Sequence, residues 1–183
     1  AKSKMYGQQD PELTWRITQG ELASGDTIVG GLTREQGEQT GTYTINQGSL
    51  SIDTANANNY DLSYVPADFT IEPATPEVTQ WPSASAITYG QSLSQSTLSG
   101  GDAEVAGSFA FDDETVTPNA ATYDATVIFT PQDSENYNSV QGSVSVEVAS
   151  RQIEITADAK SKMYGQQDPE LTWRITQGEL ASG

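Results

Sequence analysis

AKSKMYGQQDPELTWRITQGELASG occupies residues 1–25, and the same 25 residues occur again at positions 159–183. Chance does not produce an identity of this length. The sequence therefore indicates one period of a tandem repeat, 158 residues long, followed by the start of the next period. We expect the sequence to be a section of a longer array, and repetition of this kind is typical of proteins whose function lies in architecture.

The chain is strongly acidic, with 25 acidic and 8 basic residues and a formal charge of −17. Such a surface repels the phosphates of nucleic acids and anionic lipid head groups, so we expect neither as a partner. No apolar run approaches the ~18 residues of a membrane span, so we predict no membrane insertion. Cysteine and histidine are both absent, and each module must therefore be held together by its own core.

Apolar and polar residues alternate along most of the chain, which predicts β-strands with one buried face. The alternating stretches are 13–17, 43–45, 60–64, 69–71, 109–111, 123–129, 144–148 and 153–155. Turn-forming residues separate these stretches, and Gly37 interrupts the helix formers of residues 33–39. The sequence therefore predicts an all-β fold of two small Ig-like or β-sandwich modules in tandem.

Two prolines, Pro73 and Pro76, stiffen a short linker and stop a strand from running through it. The tripeptide Tyr-Gly-Gln occurs on both sides, at residues 6–8 and 89–91. We therefore predict one module at residues 1–73, a second module of related fold at residues 74–150, and the first strands of the next repeat at residues 151–183.

Aromatic residues within the predicted strands have two interpretations. Tyr43 and Tyr123 lie where the ring of a tyrosine corner would bond back to the preceding turn. Half-buried strand tyrosines would produce the same pattern. Trp15 and Trp81 are interpreted as packing residues of a core or of a contact between modules.

Joining residues 155–158 to residue 1 onward gives a segment that closely resembles the MBG domain of the YGX type. The matching motifs are SKMYGQ (3–8), DPELT (10–14), SGD (24–26), GLTREQGE (31–38), GTYTI (41–45), NY (59–60) and FTI (69–71). The segment that begins WPSASAITYGQ, at residues 81–91, is similar to a bacterial Ig-like module. The resemblance implies a secreted or surface-anchored repeat protein of bacteria, often an adhesin, and it transfers no catalytic residue.

In the family pattern, the first strand of the YGX module corresponds to residues 151–158. Residues 1–72 do not include this strand. We therefore expect residues 151–183 of one chain to complete residues 1–72 of another chain by strand addition, head to tail. The alternative is the same packing within one continuous polypeptide. The expected partners are accordingly neighbouring copies of the repeat.

Acidic residues are the remaining candidates for chemistry, because a nucleophilic triad needs a base that this chain lacks. The candidates are Asp112, Asp113, Glu114, Asp133 and Glu135. Paired carboxylates could support glycoside hydrolysis, and acidic loops could bind Ca²⁺. All five lie in polar turns, where solvated carboxylates are common. We therefore predict no catalytic or cofactor-binding residue, with Ca²⁺ as the one cofactor these loops could hold. Lys2 and Lys4 could also form an intramolecular amide with an asparagine.

The leading hypothesis is a structural repeat of a long extracellular protein at the bacterial cell surface, forming a stalk or fibre. The alternative is an adhesive module that binds a glycan or a protein through its loops. A carbohydrate-active enzyme using Asp112 or Glu135 is the third hypothesis.

Overall fold

The computed structural model describes residues 1–53 and 55–181. Strands account for 37% of the structure and helices for 3%, which confirms the predicted all-β class. The chain forms two compact units, and each unit combines two separate stretches of sequence. The first unit consists of Ala1–Pro76 and Pro131–Ser139, and the second consists of Glu77–Thr130 and Val140–Gly183.

The described residues of the first unit form six strands, most of them short. They are β1 (Lys2–Met5), β2 (Ile28–Val29), β3 (Thr33–Arg34), β4 (Gly41–Asn46), β5 (Ser51–Ile52) and β6 (Ala67–Glu72). One sheet has the order β1-β6-β4-β3, and β2 pairs separately with β5. Strand β1 runs parallel to β6, whereas β4 runs antiparallel to both β6 and β3.

The core of the first unit lies on one face of β4 and β6. Phe69 and Ile71 are almost completely buried, and Ile45 of the neighbouring strand joins them. These three residues come from the alternating stretches of the sequence, because successive side chains of a strand point to opposite faces. The partly buried residues packed against them are Tyr6, Leu13, Leu32 and Tyr43.

The second unit has a larger sheet built on two strands of ten residues each. Its strands up to residue 149 are β7 (Ser83–Ala84), β8 (Ile87–Thr88), β9 (Leu98–Ser99), β10 (Gly107–Phe111), β11 (Thr122–Pro131) and β12 (Val140–Ala149). The main sheet has the order β10-β11-β12-β8, and β7 pairs with β9. Its core is formed by Ile87, Leu93, Phe111, Ala125, Val127, Val144, Val146 and Val148.

A separate hairpin in the second unit joins β13 (Glu154–Ala157) and β14 (Trp173–Gln177). The two strands are antiparallel, with Ile155 opposite Ile175 and a register shift between Glu154 and Ile155. The strand predicted at residues 153–155 is thus confirmed in position, while its partner lies in the second copy of the repeated sequence.

The two copies of the repeated sequence have different secondary structures. The stretch Lys-Ser-Lys-Met is a strand at residues 2–5 and has no strand at residues 160–163. The reverse holds for Trp-Arg-Ile-Thr-Gln, which is a strand at residues 173–177 and not at residues 15–19. The strand predicted at residues 13–17 was therefore wrong for the first copy. Each stretch becomes a strand where a partner strand lies beside it: β6 for β1, and β13 for β14.

The strand predicted at residues 60–64 is also absent. A short 3-10 helix at Ala57–Asn59 precedes this stretch, and the tyrosine hydroxyls form the specific contacts there instead of a strand ladder. Tyr64 donates a hydrogen bond to the carbonyl of Ile45 at 2.8 Å. The spacing of Tyr60 and Tyr64 predicted a strand, but in the structure both side chains form specific hydrogen bonds instead.

Helical structure among the described residues is limited to two 3-10 turns, Ala57–Asn59 and Leu93–Gln95. None of the helices in the described part of the chain is long or apolar enough to cross a membrane.

Candidate functional site

A cluster of four charged side chains lies on the sheet of the first unit. The Lys4 ammonium contacts Asp10 at 2.7 Å and Glu38 at 2.5 Å, and Arg34 contacts the same two carboxylates at 2.5 Å each. The Lys4 side chain is only 3% exposed and that of Arg34 9%. Two cations therefore face two anions, so the buried charges are compensated.

The charge cluster shifts the pKa values of its members in the expected directions. Hydrogen bonds from Arg34 and then Lys4 lower the pKa of Asp10 to about 2. The same carboxylates raise the pKa of Lys4, with Asp10 contributing most, and Lys4 lowers the pKa of Glu38. The ammonium therefore stays protonated against ionised carboxylates, which does not favour amide formation at Lys4.

Two residues of the GLTREQGE motif, Arg34 and Gly37, pack against aromatic rings of the first unit. The Arg34 guanidinium lies 4.9 Å from the centre of the Phe69 ring and 5.4 Å from that of Tyr43, and it donates to the carbonyl of Gly37 at 2.6 Å. A Cβ at Gly37 would lie 2.2 Å from the Tyr43 ring, and the φ of Gly37 is +150°. Glycine is therefore needed at this position for the ring to pack.

Tyr43 forms the tyrosine corner that was one of two interpretations. Its hydroxyl donates to the carbonyl of Gln39, four residues upstream, at 2.8 Å. Tyr123 instead packs against the core of the second unit. The first interpretation is therefore confirmed at Tyr43, and the second describes Tyr123.

The SGD and NY motifs meet in a second polar contact of the first unit. The Tyr60 hydroxyl donates to the Asp26 carboxylate at 2.5 Å and accepts from the Ala23 amide at 2.8 Å. Asn56 donates to the other oxygen of Asp26 at 2.8 Å. The bond to Asp26 raises the pKa of Tyr60. Both motifs therefore fix a loop of the unit.

Residues 131–139 complete the first unit through one buried asparagine. Asn136 is 2% exposed, and its side-chain oxygen accepts from the Thr40 amide at 2.9 Å. Its side-chain nitrogen donates to Gln39 at 2.5 Å and to Asp133 at 2.9 Å. Backbone bonds at Ala74 and the edge-to-face packing of Tyr6 on Tyr137, with ring centres 5.3 Å apart, extend the contact.

The predicted acidic candidates have ordinary structural contacts. Asp113 accepts bonds from the amide and hydroxyl of Thr115, which lower its pKa, and Asp133 accepts from Asn136. The carbonyl of Glu135 accepts from Thr40 at 2.8 Å. Asp112 and Glu114 lie in the turn after β10. Within residues 1–53 and 55–181, no group of three or more acidic residues has the arrangement of a metal site.

The two tryptophans differ in environment. Trp81 packs against the core of the second unit, with its ring edge-to-face to Phe109 at 5.8 Å, as predicted. A Cβ at Gly142 would lie 2.2 Å from the Trp81 ring. Trp15 is 46% exposed, so it does not pack in the core of the first unit, and its predicted role in a contact between modules stays a prediction.

Trp15 lies in an open groove of the first unit that sequence reasoning missed. The groove has a volume of about 610 Å³, and residues 14–19 and 61–67 line much of it. Other apolar residues that line it are Ile28, Leu32 and Leu50. Among the exposed apolar residues that line it, Ile17 is 45% and Val65 76% exposed. The alternating pattern of residues 13–17 predicts a strand. The sequence does not show that these residues lack a neighbouring strand, so it does not predict the groove.

Residues 1–70 match the family model described as the MBG domain (YGX type). No curated protein and no solved structure matches the chain. The matched region contains the charge cluster, the tyrosine corner and the contact between Asp26 and Tyr60.

Proposed function

Because residues 1–70 are an MBG domain of the YGX type, we propose that this chain is a structural repeat of a long extracellular protein at the bacterial cell surface. MBG domains are typical of bacterial surface proteins. The repeat contributes length and stiffness to a stalk or fibre.

One observation supports a structural role most directly: the motif residues are engaged in contacts within the first unit. Lys4, Asp10, Arg34 and Glu38 neutralise each other, Tyr43 closes a corner, and Tyr60 holds Asp26. Among the described residues, every buried side-chain nitrogen or oxygen has a hydrogen-bond partner. A catalytic site, by contrast, needs polar groups aimed at a substrate.

We propose two modules per repeat: an MBG module at residues 1–73 and an Ig-like module at residues 74–150. Residues 151–183 then open the next MBG module. Dissimilar neighbours lower the risk that identical modules swap strands while they fold. The N-terminal stretch of the first structural unit ends at Pro76, close to the proposed boundary, whereas residues 131–139 also belong to that unit.

The proposed partners are neighbouring copies of the repeat, packed within the same chain or joined head to tail between chains by strand complementation. The proposal includes no binding to nucleic acid and no insertion into a membrane, because the formal charge of −17 opposes both. It also includes no catalysis and no cofactor. A loop-bound glycan or protein is the alternative, and binding of the isolated repeat on a glycan array would favour it.

Single-molecule pulling on a covalent array of repeats tests the proposal. Each repeat of 158 residues should unfold in two events, each releasing roughly 280 Å of chain at ~3.6 Å per residue. A single event per repeat would contradict the division into two modules. Unfolding at forces too low to detect would contradict a load-carrying stalk.

A further inference from the structure

The tripeptide Tyr-Gly-Gln forms the same β-turn at residues 6–8 and at residues 89–91. The glutamine amide donates to the carbonyl three residues earlier, at 3.1 Å in the first turn and 2.9 Å in the second. The φ of Gly7 is +78° and that of Gly90 is +93°, values typical of the third residue of a type II turn. The glutamine side chain also accepts from the amide at the start of the turn, at 3.2 Å and 2.7 Å. Each turn is therefore closed by its own residues.

A third occurrence shows that this turn does not need a neighbouring strand. At residues 164–166, the glutamine amide donates to the Met163 carbonyl at 3.1 Å, and the φ of Gly165 is +83°. Residues 160–163, which precede this turn, form no strand. The turn is therefore determined by local sequence, whereas the strand before it depends on pairing.

At the first two sites, the strand before the turn pairs in parallel with the strand that closes the proposed module. Strand β1 pairs with β6, with Lys2 opposite Phe69 and Met5 opposite Glu72. Strand β8 pairs with β12 in the same direction. The amide of the turn tyrosine extends both pairings, because it donates to the last carbonyl of the closing strand at 2.8 Å for β6 and 2.9 Å for β12. Two modules of different sequence thus share one arrangement of strand, turn and parallel closing strand.

Parallel pairing determines how tension acts on β1. In an array, tension enters a module from the N-terminal side of the chain and leaves it on the C-terminal side. These two points lie at opposite ends of a parallel pair, so tension slides β1 along β6 instead of lifting it away. The hydrogen bonds of the pair are evenly spaced between the strands, so they share the load. A segment ahead of β1 does not bypass the pair, because the chain continues from it into β1.

Side chains add to the resistance of β1 against sliding. The Lys4 ammonium, whose side chain is 3% exposed, contacts Asp10 at 2.7 Å and Glu38 at 2.5 Å. Sliding by one residue would separate the ammonium from both carboxylates and leave a buried charge uncompensated. The Tyr6 ring packs against the apolar cluster of the first unit. The turn at residues 6–8 must also open before the chain behind it can be drawn along β6.

We propose that the parallel pair of β1 and β6 is a mechanical clamp, meaning the set of bonds that must break together before tension can extend the MBG module. The Tyr-Gly-Gln turn is the stop at the end of this clamp. Strands β8 and β12 form a shorter clamp of two residue pairs in the second module. This inference rests on the proposed structural repeat, because tension reaches a module through its neighbours, and it identifies the part that carries the load.

Optical tweezers on the full chain test the clamp by changing only the direction of pulling. The chain has no cysteine, so two introduced cysteines define where the handles attach. Ala1→Cys with Glu72→Cys pulls on opposite ends of the pair and shears it. Ala1→Cys with Ala67→Cys pulls on the same end and unzips it. The unfolding force should be several-fold higher in shear, because the hydrogen bonds then break together instead of one after another.

The comparison separates a mechanical role from a stabilising one, because both directions act on the same fold. All three cysteine positions are exposed, so the two double variants should have equal urea midpoints. Forced unfolding is governed by the unfolding rate and not by the equilibrium stability. Equal unfolding forces in the two directions would overturn the clamp.

Gly7→Ala tests the role of the turn. A Cβ at Gly7 would have no atom within 4 Å, but its φ of +78° is one that L side chains rarely adopt, so the substitution strains the turn without a clash. The unfolding force in shear should fall, and the force for unzipping should change less.

Gly165→Ala is the matched control for the turn. It lies in the same local sequence with a φ of +83° and equal free space, but no strand pair precedes it, so the shear force should stay unchanged. An unchanged shear force in Gly7→Ala, or an equal fall in both directions, would overturn the role of the turn as a stop.

Failure of the clamp and failure of the stalk are distinguishable. Equal forces in the two directions would overturn the clamp, while arrays that lengthen by a constant step per repeat would still support the stalk. Conversely, arrays that grow compactly would contradict the stalk, while the two pulling directions still decide whether β1 and β6 carry the load within the module.

Discussion

At the scale of single residues, the first unit is held together by polar side chains as well as by its apolar core. Ile45, Phe69 and Ile71 form the buried apolar cluster, and Leu50 and Ile52 are further buried apolar side chains of the unit. Lys4 and Asn136 are buried among polar partners. A core this small leaves the stability of the unit dependent on those polar contacts, because total domain stability is typically ~5–15 kcal/mol.

Acid should weaken the first unit through Asp10. Arg34 and Lys4 lower its folded-state pKa from 3.8 to about 2, so the ionised carboxylate stabilises the fold above pH ~4. This contribution is lost as the pH falls from ~4 to ~2, when the carboxylate becomes protonated. Its size is about 1 kcal/mol, because partial exposure lets water screen the pair.

Asp10→Asn should reduce this pH dependence. Urea unfolding at pH 6, 4 and 3 (about these values), followed through the amide NMR signals of β4 and β6, measures it. Asp168→Asn is the matched control, because Asp168 pairs with the half-exposed Lys162 in the second copy. An equal effect of the two substitutions on β4 and β6 would contradict the role of the cluster.

Asn136→Ala should destabilise the first unit by about 2 kcal/mol, because it removes a buried amide and leaves the Thr40 amide without its acceptor. Native-state hydrogen exchange of β4 and β6 should then be about 30-fold faster. Asn138→Ala is the control, since the Asn138 side chain is exposed and makes longer hydrogen bonds, at 3.2 and 3.4 Å. Unchanged exchange in Asn136→Ala would show that residues 131–139 do not support the unit.

At the scale of elements, the sequence predicts strands well where both partners of a pair carry the alternating pattern. Strands β4, β6, β10, β11 and β12 all lie where alternation predicts them. Strand β1 was missed because Lys-Ser-Lys-Met contains a single apolar residue, and its Lys4 is buried through ion pairs. The sequence alone does not show that the charge of Lys4 is neutralised, because this depends on where Asp10 and Glu38 lie in the fold.

The two copies of the repeated sequence set a firmer limit on prediction. Identical residues have identical propensities, yet residues 15–19 and 173–177 differ in structure. Strand formation here depends on a partner elsewhere in the chain, since strand pairing contributes much of the stability of a sheet. Local sequence therefore predicts that a stretch can form a strand, and the presence of a neighbouring strand decides whether it does.

Gly142 provides a test of packing in the second unit. A Cβ there would lie 2.2 Å from the Trp81 ring, so Gly142→Ala should cost about 1–3 kcal/mol through overpacking. The melting temperature of the second unit should fall by roughly 5 °C or more. Ser143→Ala, on the exposed face of the same strand, should have little effect. Equal melting temperatures for both variants would contradict the packing of Trp81 on β12.

At the scale of the whole molecule, repetition and charge act together. The proposed structural repeat would extend an array by one step every 158 residues, and the formal charge of −17 would oppose contact between neighbouring arrays. A second copy of a catalytic site would add little, whereas a second structural repeat adds length. We therefore propose that the main contribution of this repeat is length.

Small-angle X-ray scattering of covalent arrays of one, two and four repeats tests this central claim most directly. A stalk predicts that the maximum dimension increases by a constant step for each added repeat. Compact packing of the repeats predicts instead that the radius of gyration grows only as roughly the 0.38 power of chain length. A constant step supports the account of this chain as a structural repeat, and compact growth would contradict it.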